Sequence, residues 1–212
     1  MATTNNDTPQ GSTAFELNNG IKIPALGFGA MKHNLFFDPS ERDHVRTLII
    51  QALQAGYRLL DTSKLYNTED LVGEAIKQSG VPRSEITVIT KVFSDDYHDV
   101  RAAFEKSRKL LDTYVDIYLM HWPMALAPDG SGPRMPGESP TYIEVYQKME
   151  ELVGPDCRAI GVSNLTQKTL EPLLKVAKIK PVVNEIECHP LNPNLKLVPY
   201  CLERGIRPIA WG

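Results

Sequence analysis

The chain has 212 residues, 42% of them apolar and 23% charged, with a formal charge of −3. This is the composition of a globular protein with one good core. The charge excludes the basic footprint of a nucleic-acid or anionic-membrane binder. The lack of any run of about 18 or more apolar residues argues against a membrane span. Residues 1–12 are polar, carry no apolar signal-peptide core and read as a short disordered tail, which leaves 13–212 as one domain of expected cytoplasmic location. Cys157, Cys188 and Cys201 match neither a disulfide framework nor a zinc pattern and are expected to be buried, reduced thiols.

In chain order, residues 15–17 and 21–23, joined by Asn18-Asn19-Gly20, predict an N-terminal β-hairpin. Residues 25–30 predict a strand. Residues 42–55 have helical periodicity and stop at Gly56. Strand 57–61 and helix 67–78 follow, the helix with Glu69 and Asp70 in its first turn. Then come strand 86–90, helix 98–111, strand 115–120, helix 141–152, strand 159–163, helix 166–177, strand 182–187, helix 195–204 and strand 206–211. The strands are continuous Val/Ile/Leu runs, as strands buried on both faces are, and strict alternation with helices implies a parallel sheet. A doubly wound sheet and a (β/α)8 TIM barrel both satisfy this pattern. Seven such strands fall short of a complete barrel, which typically needs ~250 residues, so the expectation is an incomplete barrel of about seven of eight strands. The loop at 124–140 holds four prolines and three glycines without periodicity. At that length it is expected to be functional, as a cover over the substrate.

Reactive side chains recur at the ends of these strands. Asp61 closes 57–60, Lys91 closes 86–90 and His121 closes 115–120, while Tyr66 follows five residues after Asp61. Singly, each has an ordinary structural reading: a helix cap, a strand-end cation, a satisfied loop histidine. Together, after several different strands, they favour the barrel, in which all strand ends face one site; an open sheet would concentrate ligands at one switch point. A tyrosine phenol is a weak acid at neutral pH, and a neighbouring ammonium lowers its pKa. A carboxylate keeps that ammonium charged and placed, and a histidine can orient a carbonyl oxygen. Such a set suits protonation of a carbonyl while hydride arrives from a cofactor, since no side chain supplies one. Gly27-Phe28-Gly29 begins a dinucleotide fingerprint but lacks its third glycine, and no P-loop or metalloprotease motif is present. Ser163, Asn164 and Glu185 are polar where a structural strand would be apolar, so each needs a partner, and an amide-bearing ligand is one candidate.

These residues sit in segments that resemble the aldo-keto reductases: Gly56-Tyr57-Arg58-Leu59-Leu60-Asp61-Thr62 with Tyr66 and Asn67, Ile89-Thr90-Lys91, Met120-His121-Trp122-Pro123, Ala159-Ile160-Gly161-Val162-Ser163-Asn164 and Asn184-Glu185-Ile186-Glu187-Cys188-His189-Pro190. The resemblance runs from about Phe15 to the end. It implies a (β/α)8 barrel that binds NADPH without a Rossmann fold and reduces an aldehyde or ketone to an alcohol. By position, Tyr66 resembles the general acid, Lys91 and Asp61 its tuning partners, and His121 the group that orients the substrate carbonyl. Asp61, Ser163, Asn164, Glu185 and Trp211 resemble the cofactor-binding set, with Trp211 stacking on the nicotinamide. Met31, Trp122 and His121 resemble the substrate pocket, with no metal implied. Glu185 stands where glutamine is more usual, Trp211 where tyrosine is common, and Met31 where a tryptophan often lines the pocket. The softer Met31 and the long loop permit a bulky carbonyl, such as one of specialised metabolism. The family's later segment, which grips the cofactor's 2′-phosphate, has no counterpart in this sequence. The alternative expectation is therefore a truncated, non-catalytic relative, defective or regulatory.

Overall fold

The computed structural model describes residues 13–31, 41–127, 132–135 and 137–212; the expected tail at 1–12 and part of the 124–140 loop lie outside them. Strands β1 (Ala14–Glu16) and β2 (Lys22–Pro24) form an antiparallel hairpin. Its turn ends at Gly20, whose φ of 86° needs glycine. Seven parallel strands follow: β3 (Phe28–Gly29), β4 (Leu59–Asp61), β5 (Thr87–Val92), β6 (Ile117–Met120), β7 (Ile160–Ser163), β8 (Val183–Glu187) and β9 (Arg207–Trp211). The helices are α1 (Arg42–Gln54), α2 (Glu69–Gln78), α3 (Val100–Leu111), α4 (Tyr142–Glu150), α5 (Gln167–Val176) and α6 (Leu197–Glu203). The strands lie side by side in sequence order, β3 through β9. A doubly wound sheet would reverse direction at a switch point; this one curls the same way throughout, as an incomplete (β/α)8 barrel does.

The helix limits have local causes. The Asp99 side chain accepts from Ala102 N–H at the start of α3, and Thr141 with Glu144 forms a capping box at the start of α4. Acidic residues open α2 and Lys77 closes it, matching the helix dipole.

Successive strand residues face opposite ways, and this builds two apolar layers. Inward-facing Leu59, Ile89, Ile117, Leu119 and Val183 fill the barrel, and Leu17 and Ile23 of the hairpin plug its lower end. Outward-facing Leu60, Val88, Tyr118, Ile160 and Val162 pack against the helices. The plug is tied on by Asn18, whose amide donates to the Pro181 and Gly205 carbonyls at 2.9 and 3.0 Å. Also at the lower end, Asp116 accepts from Arg83, Arg158 and the Val88 N–H at 2.7–3.2 Å. Both guanidiniums stack 3.8 Å from the Tyr114 ring centre. In barrels this end serves stability, the opposite end chemistry.

Three expectations are corrected. The first strand of the barrel shrinks from 25–30 to Phe28–Gly29, because Ala25 N–H pairs with the Thr13 carbonyl of the hairpin instead. β5 runs on to Val92, so Lys91 lies inside a strand and does not follow one. Cys157 and Cys201 are buried free thiols as expected, whereas Cys188 is only half-buried.

Helices α2 and α3 pack closely at Gly73, where an added Cβ would overlap the Leu111 carbonyl at the end of α3. A backbone atom cannot rotate away. Gly73→Ala is therefore expected to destabilise the fold by about 1–3 kcal/mol, read as a lowered urea midpoint at unchanged m-value; an unchanged midpoint would show that α2 and α3 separate freely.

Candidate active site

At the carboxyl end of the barrel the inward positions turn from apolar to polar. Asp61 lies two residues above Leu59, Lys91 above Ile89, His121 above Leu119, Ser163 above Gly161, Glu185 above Val183 and Trp211 above Ile209. Each site residue therefore continues the buried parity of its strand. Gly161 keeps its level open, since a Cβ there would come within 2.7 Å of Leu119 and 2.9 Å of Val183.

Tyr66 reaches the same level from a 3-10 turn, Lys64–Tyr66, that follows β4. Ser63 starts the turn by accepting from Leu65 N–H at 3.2 Å, and Asn67 ends it in the left-handed region at φ 54°. Lys64, on the outer side, is paired with Asp95 and Asp96 at 2.7 and 2.6 Å, which pins the turn to the loop after β5.

Lys91 is the centre of the cluster. Its ammonium is fully buried, pairs closely with Asp61, and lies 3.1 Å from the Thr62 carbonyl, 3.3 Å from Glu185 Oε1 and 3.5 Å from the Tyr66 hydroxyl. Burial opposes its charge, but Asp61, Glu185 and Tyr66 outweigh burial and hold it protonated. Tyr66 moves the other way from the sequence expectation. Burial is the largest influence on the phenol; Lys91 pulls its pKa down, yet Asp61 and Glu185 push it up, and it ends at about 12. The phenol thus carries its proton at any physiological pH.

His121 stands edge-on to Tyr66, with ring centres 5.6 Å apart, and edge-on to Phe93 at the same separation. Trp122 lies parallel to it at 6.3 Å with its own ring more than a third exposed. The imidazole Nδ1 is 3.1 Å from Ser63 Oγ. The Ser63 hydroxyl can give its one hydrogen to Nδ1 while accepting from Leu65 N–H, and the tautomer that goes with that arrangement carries the imidazole proton on Nε2. Burial, helped by Lys91, lowers the His121 pKa to about 3.

Asn164 joins three strand ends. It sits at φ 62°, donates to the His121 carbonyl at 3.0 Å and to Ser163 Oγ at 3.1 Å, and accepts from the Trp211 indole N–H at 3.2 Å. Ser163 Oγ in turn donates to the Glu185 carbonyl at 3.0 Å. These polar groups therefore find protein partners, except for one: Glu185 Oε2 is buried and has none among the described residues. A cleft of about 640 Å³ runs between the β3 and β9 edges and is lined by Asp61, Glu185 and Trp211 among others. A buried carboxyl oxygen without a partner, next to Ser163 and Asn164, suits an amide-bearing ligand.

Met31 lies just past β3, half exposed, with no hydrogen bond or ring contact to the tetrad among the described residues. The loop after β6 is anchored at its start: Tyr97 donates to the Trp122 carbonyl at 2.6 Å, and Leu126 N–H donates to the Ser94 carbonyl at 3.0 Å. Sequence reasoning missed Ser63 and Thr62. Their position between Asp61 and Tyr66 was the available signal.

The likeness to known proteins agrees with this geometry. Residues 25–212 match the model of the Aldo/keto reductase family. A D-galacturonate reductase of Hypocrea jecorina is 36% identical over 94% of this chain and 67% of that protein. An aldehyde reductase of Saccharomyces cerevisiae is 38% identical over 92% of this chain and 66% of its own length. The crystal structure of a Bombyx mori aldo-keto reductase in complex with NADP superposes with a TM-score of 0.85 at 33% identity, covering 95% of this chain and 66% of that one. The chain belongs to the aldo/keto reductase family. It spans about two thirds of the length of these relatives. Among the described residues no helix is long and apolar enough to cross a membrane, and no cluster of His, Cys, Asp and Glu is placed to hold a metal.

The His121 environment makes a direct prediction. An unfolded imidazole takes up its proton near 6.5 and the folded one only near 3, so the stability this site contributes is present above about 6.5 and is lost as pH falls through that window. Nitrogen NMR of the ring should show a neutral Nε2–H tautomer at pH ~6 with no titration above pH ~5. A ring that titrates near its ordinary value would place His121 in water, outside the cluster.

Proposed function

We propose that this chain is the catalytic part of an NADPH-dependent carbonyl reductase, with Tyr66 as general acid. The observation that carries the reading is the Tyr66 hydroxyl held 3.5 Å from a buried, charged Lys91 while a neutral His121 stands beside it. When bound, the cofactor supplies hydride to the carbonyl carbon. The chain's residues manage the proton. His121 Nε2–H donates to the carbonyl oxygen and aims it at the phenol. Tyr66 gives its proton to that oxygen as negative charge builds there. The raised pKa keeps the proton on Tyr66 until then, and Lys91 stabilises the phenolate that remains. Asp61 holds Lys91 charged and in place.

Trp211, fixed by Asn164, supports the flat nicotinamide face, and Ser163, Asn164 and Glu185 hold its carboxamide. Trp122 and Met31 line the way in. With Met31 half exposed and no bulkier ring at its position, the pocket takes a bulky aldehyde or ketone of the kind found in specialised metabolism.

Tyr66→Phe keeps the ring and removes the proton. It should lower turnover of aldehydes by about 10²–10⁴-fold while NADPH fluorescence titrations give the wild-type Kd. Undiminished turnover would rule out Tyr66 as the acid. If the wild-type chain leaves NADPH fluorescence unchanged, the non-catalytic relative becomes the better reading.

A further inference from the structure

The barrel mouth holds one buried cation and two carboxyls. Lys91 pairs closely with Asp61, and its remaining hydrogens lie toward the Thr62 carbonyl at 3.1 Å and the Tyr66 hydroxyl at 3.5 Å. Glu185 Oε1, at 3.3 Å from the ammonium, has only a share of what is left, and its Oε2 is buried without a partner. With all three groups ionised the pocket would carry a net negative charge, part of it on a buried oxygen that has no hydrogen-bond partner among the described residues. Two close carboxyls beside a single cation are stable with one proton between them. Asp61 has the tighter contact with Lys91, and its side chain is 22% exposed against 5% for Glu185. The proton therefore belongs on Glu185, next to Asp61 as its acceptor.

We propose that Glu185 is a proton-carrying specificity residue. It carries the one proton that it shares with Asp61, and when it loses that proton it favours the oxidised, cationic nicotinamide over the reduced one. The second half rests on the reading of Ser163, Asn164 and Glu185 as the nicotinamide cradle. A carboxylic acid presents one donor and one acceptor, as a side-chain amide does. A carboxylate presents acceptors only, plus a charge that attracts a cationic ring.

The surroundings agree. β4 contributes Asp61, β5 contributes Lys91, and the turn after β4 contributes Tyr66. From β6 comes His121, which is neutral, and from β7 the uncharged Ser163. On β9, Ile209 is level with Glu185, and Arg207 below it turns its guanidinium to the Phe15 ring at 4.4 Å. Glu187, two residues on, is exposed and paired with His189 at 2.9 Å. Burial is the main cause that raises Glu185, with Asp61 adding to it and Lys91 opposing, and brings it to about 7. Loss of the proton thus falls within the working range.

The test has two arms on the whole chain. Infrared difference spectra without cofactor should show a protonated carboxyl that disappears as pH rises through about 7 and is missing in Glu185→Gln. In Asp61→Asn, where the second negative charge is gone, the same band should disappear at lower pH. A wild-type chain with no such band, or a band that Glu185→Gln retains, overturns the proposal. In the second arm, Kd values for NADP+ and NADPH are measured at pH ~6 and ~9. The ratio Kd(NADP+)/Kd(NADPH) should fall by about five- to tenfold with rising pH in the wild type and hold constant in Glu185→Gln. A constant wild-type ratio with both cofactors bound overturns the specificity role. Failure to bind either cofactor overturns the nicotinamide reading and the specificity role with it, while the infrared arm still decides where the proton sits.

Discussion

A buried ammonium is among the most expensive groups a protein can carry, and Lys91 has no exposed surface at all. It is tolerated because three kinds of oxygen surround it: the carboxyls of Asp61 and Glu185, the Thr62 carbonyl and the Tyr66 hydroxyl. They come from the end of β4 and the turn after it and, for Glu185, from β8. Removing Lys91 would leave two buried carboxyls without a cation, which is the familiar asymmetry of buried ion pairs. The position of the turn after β4, the length of β5 and the polar residue in β8 are all conditions for keeping this one charge inside.

The barrel meets those conditions through strand parity. The face of each strand that carries Leu, Ile, Ala, Gly and Val at lower levels carries Asp, Lys, His, Ser and Glu at the mouth. The hydrophobic layers below and the hairpin plug beneath them shut water out from one side. They also lower the local dielectric, so each electrostatic contact at the mouth acts more strongly than it would at a surface. The same burial that makes the phenol a reluctant acid keeps His121 uncharged. Stability and reactivity at this site therefore have a common origin in desolvation.

Much of this was legible in the residues. Strict alternation of apolar runs with helical periods is enough for a parallel α/β fold, and polar residues after several strands pointed to a barrel mouth. What could not be read was set by contacts distant in sequence. Ala25 leaves the barrel because Thr13 of the hairpin offers it a carbonyl, and no local pattern reveals that. Lys91 was read as a strand-end residue, since lysine ends an apolar run, yet partners on β4 and β8 let the strand continue through it. The pKa of Tyr66 depends first on burial and then on the balance of two carboxyls against one ammonium, and the sequence shows the charges but neither the burial nor the distances. Ser63 was overlooked for a related reason: a serine between an aspartate and a tyrosine looks like turn chemistry, which it also performs, until His121 arrives from a strand 58 positions later.

Asn164 is the small part with the widest reach. Its amide group touches the backbone after β6, the hydroxyl at the end of β7 and the indole at the end of β9. It adopts a left-handed backbone conformation that asparagine tolerates better than most residues. The carbonyl it holds belongs to His121, and the ring it holds belongs to Trp211. A shift of either is thus passed to the other through a single planar group with little freedom to absorb it. The mouth therefore has a crossbar: one side chain braces the end of β6 against the end of β9.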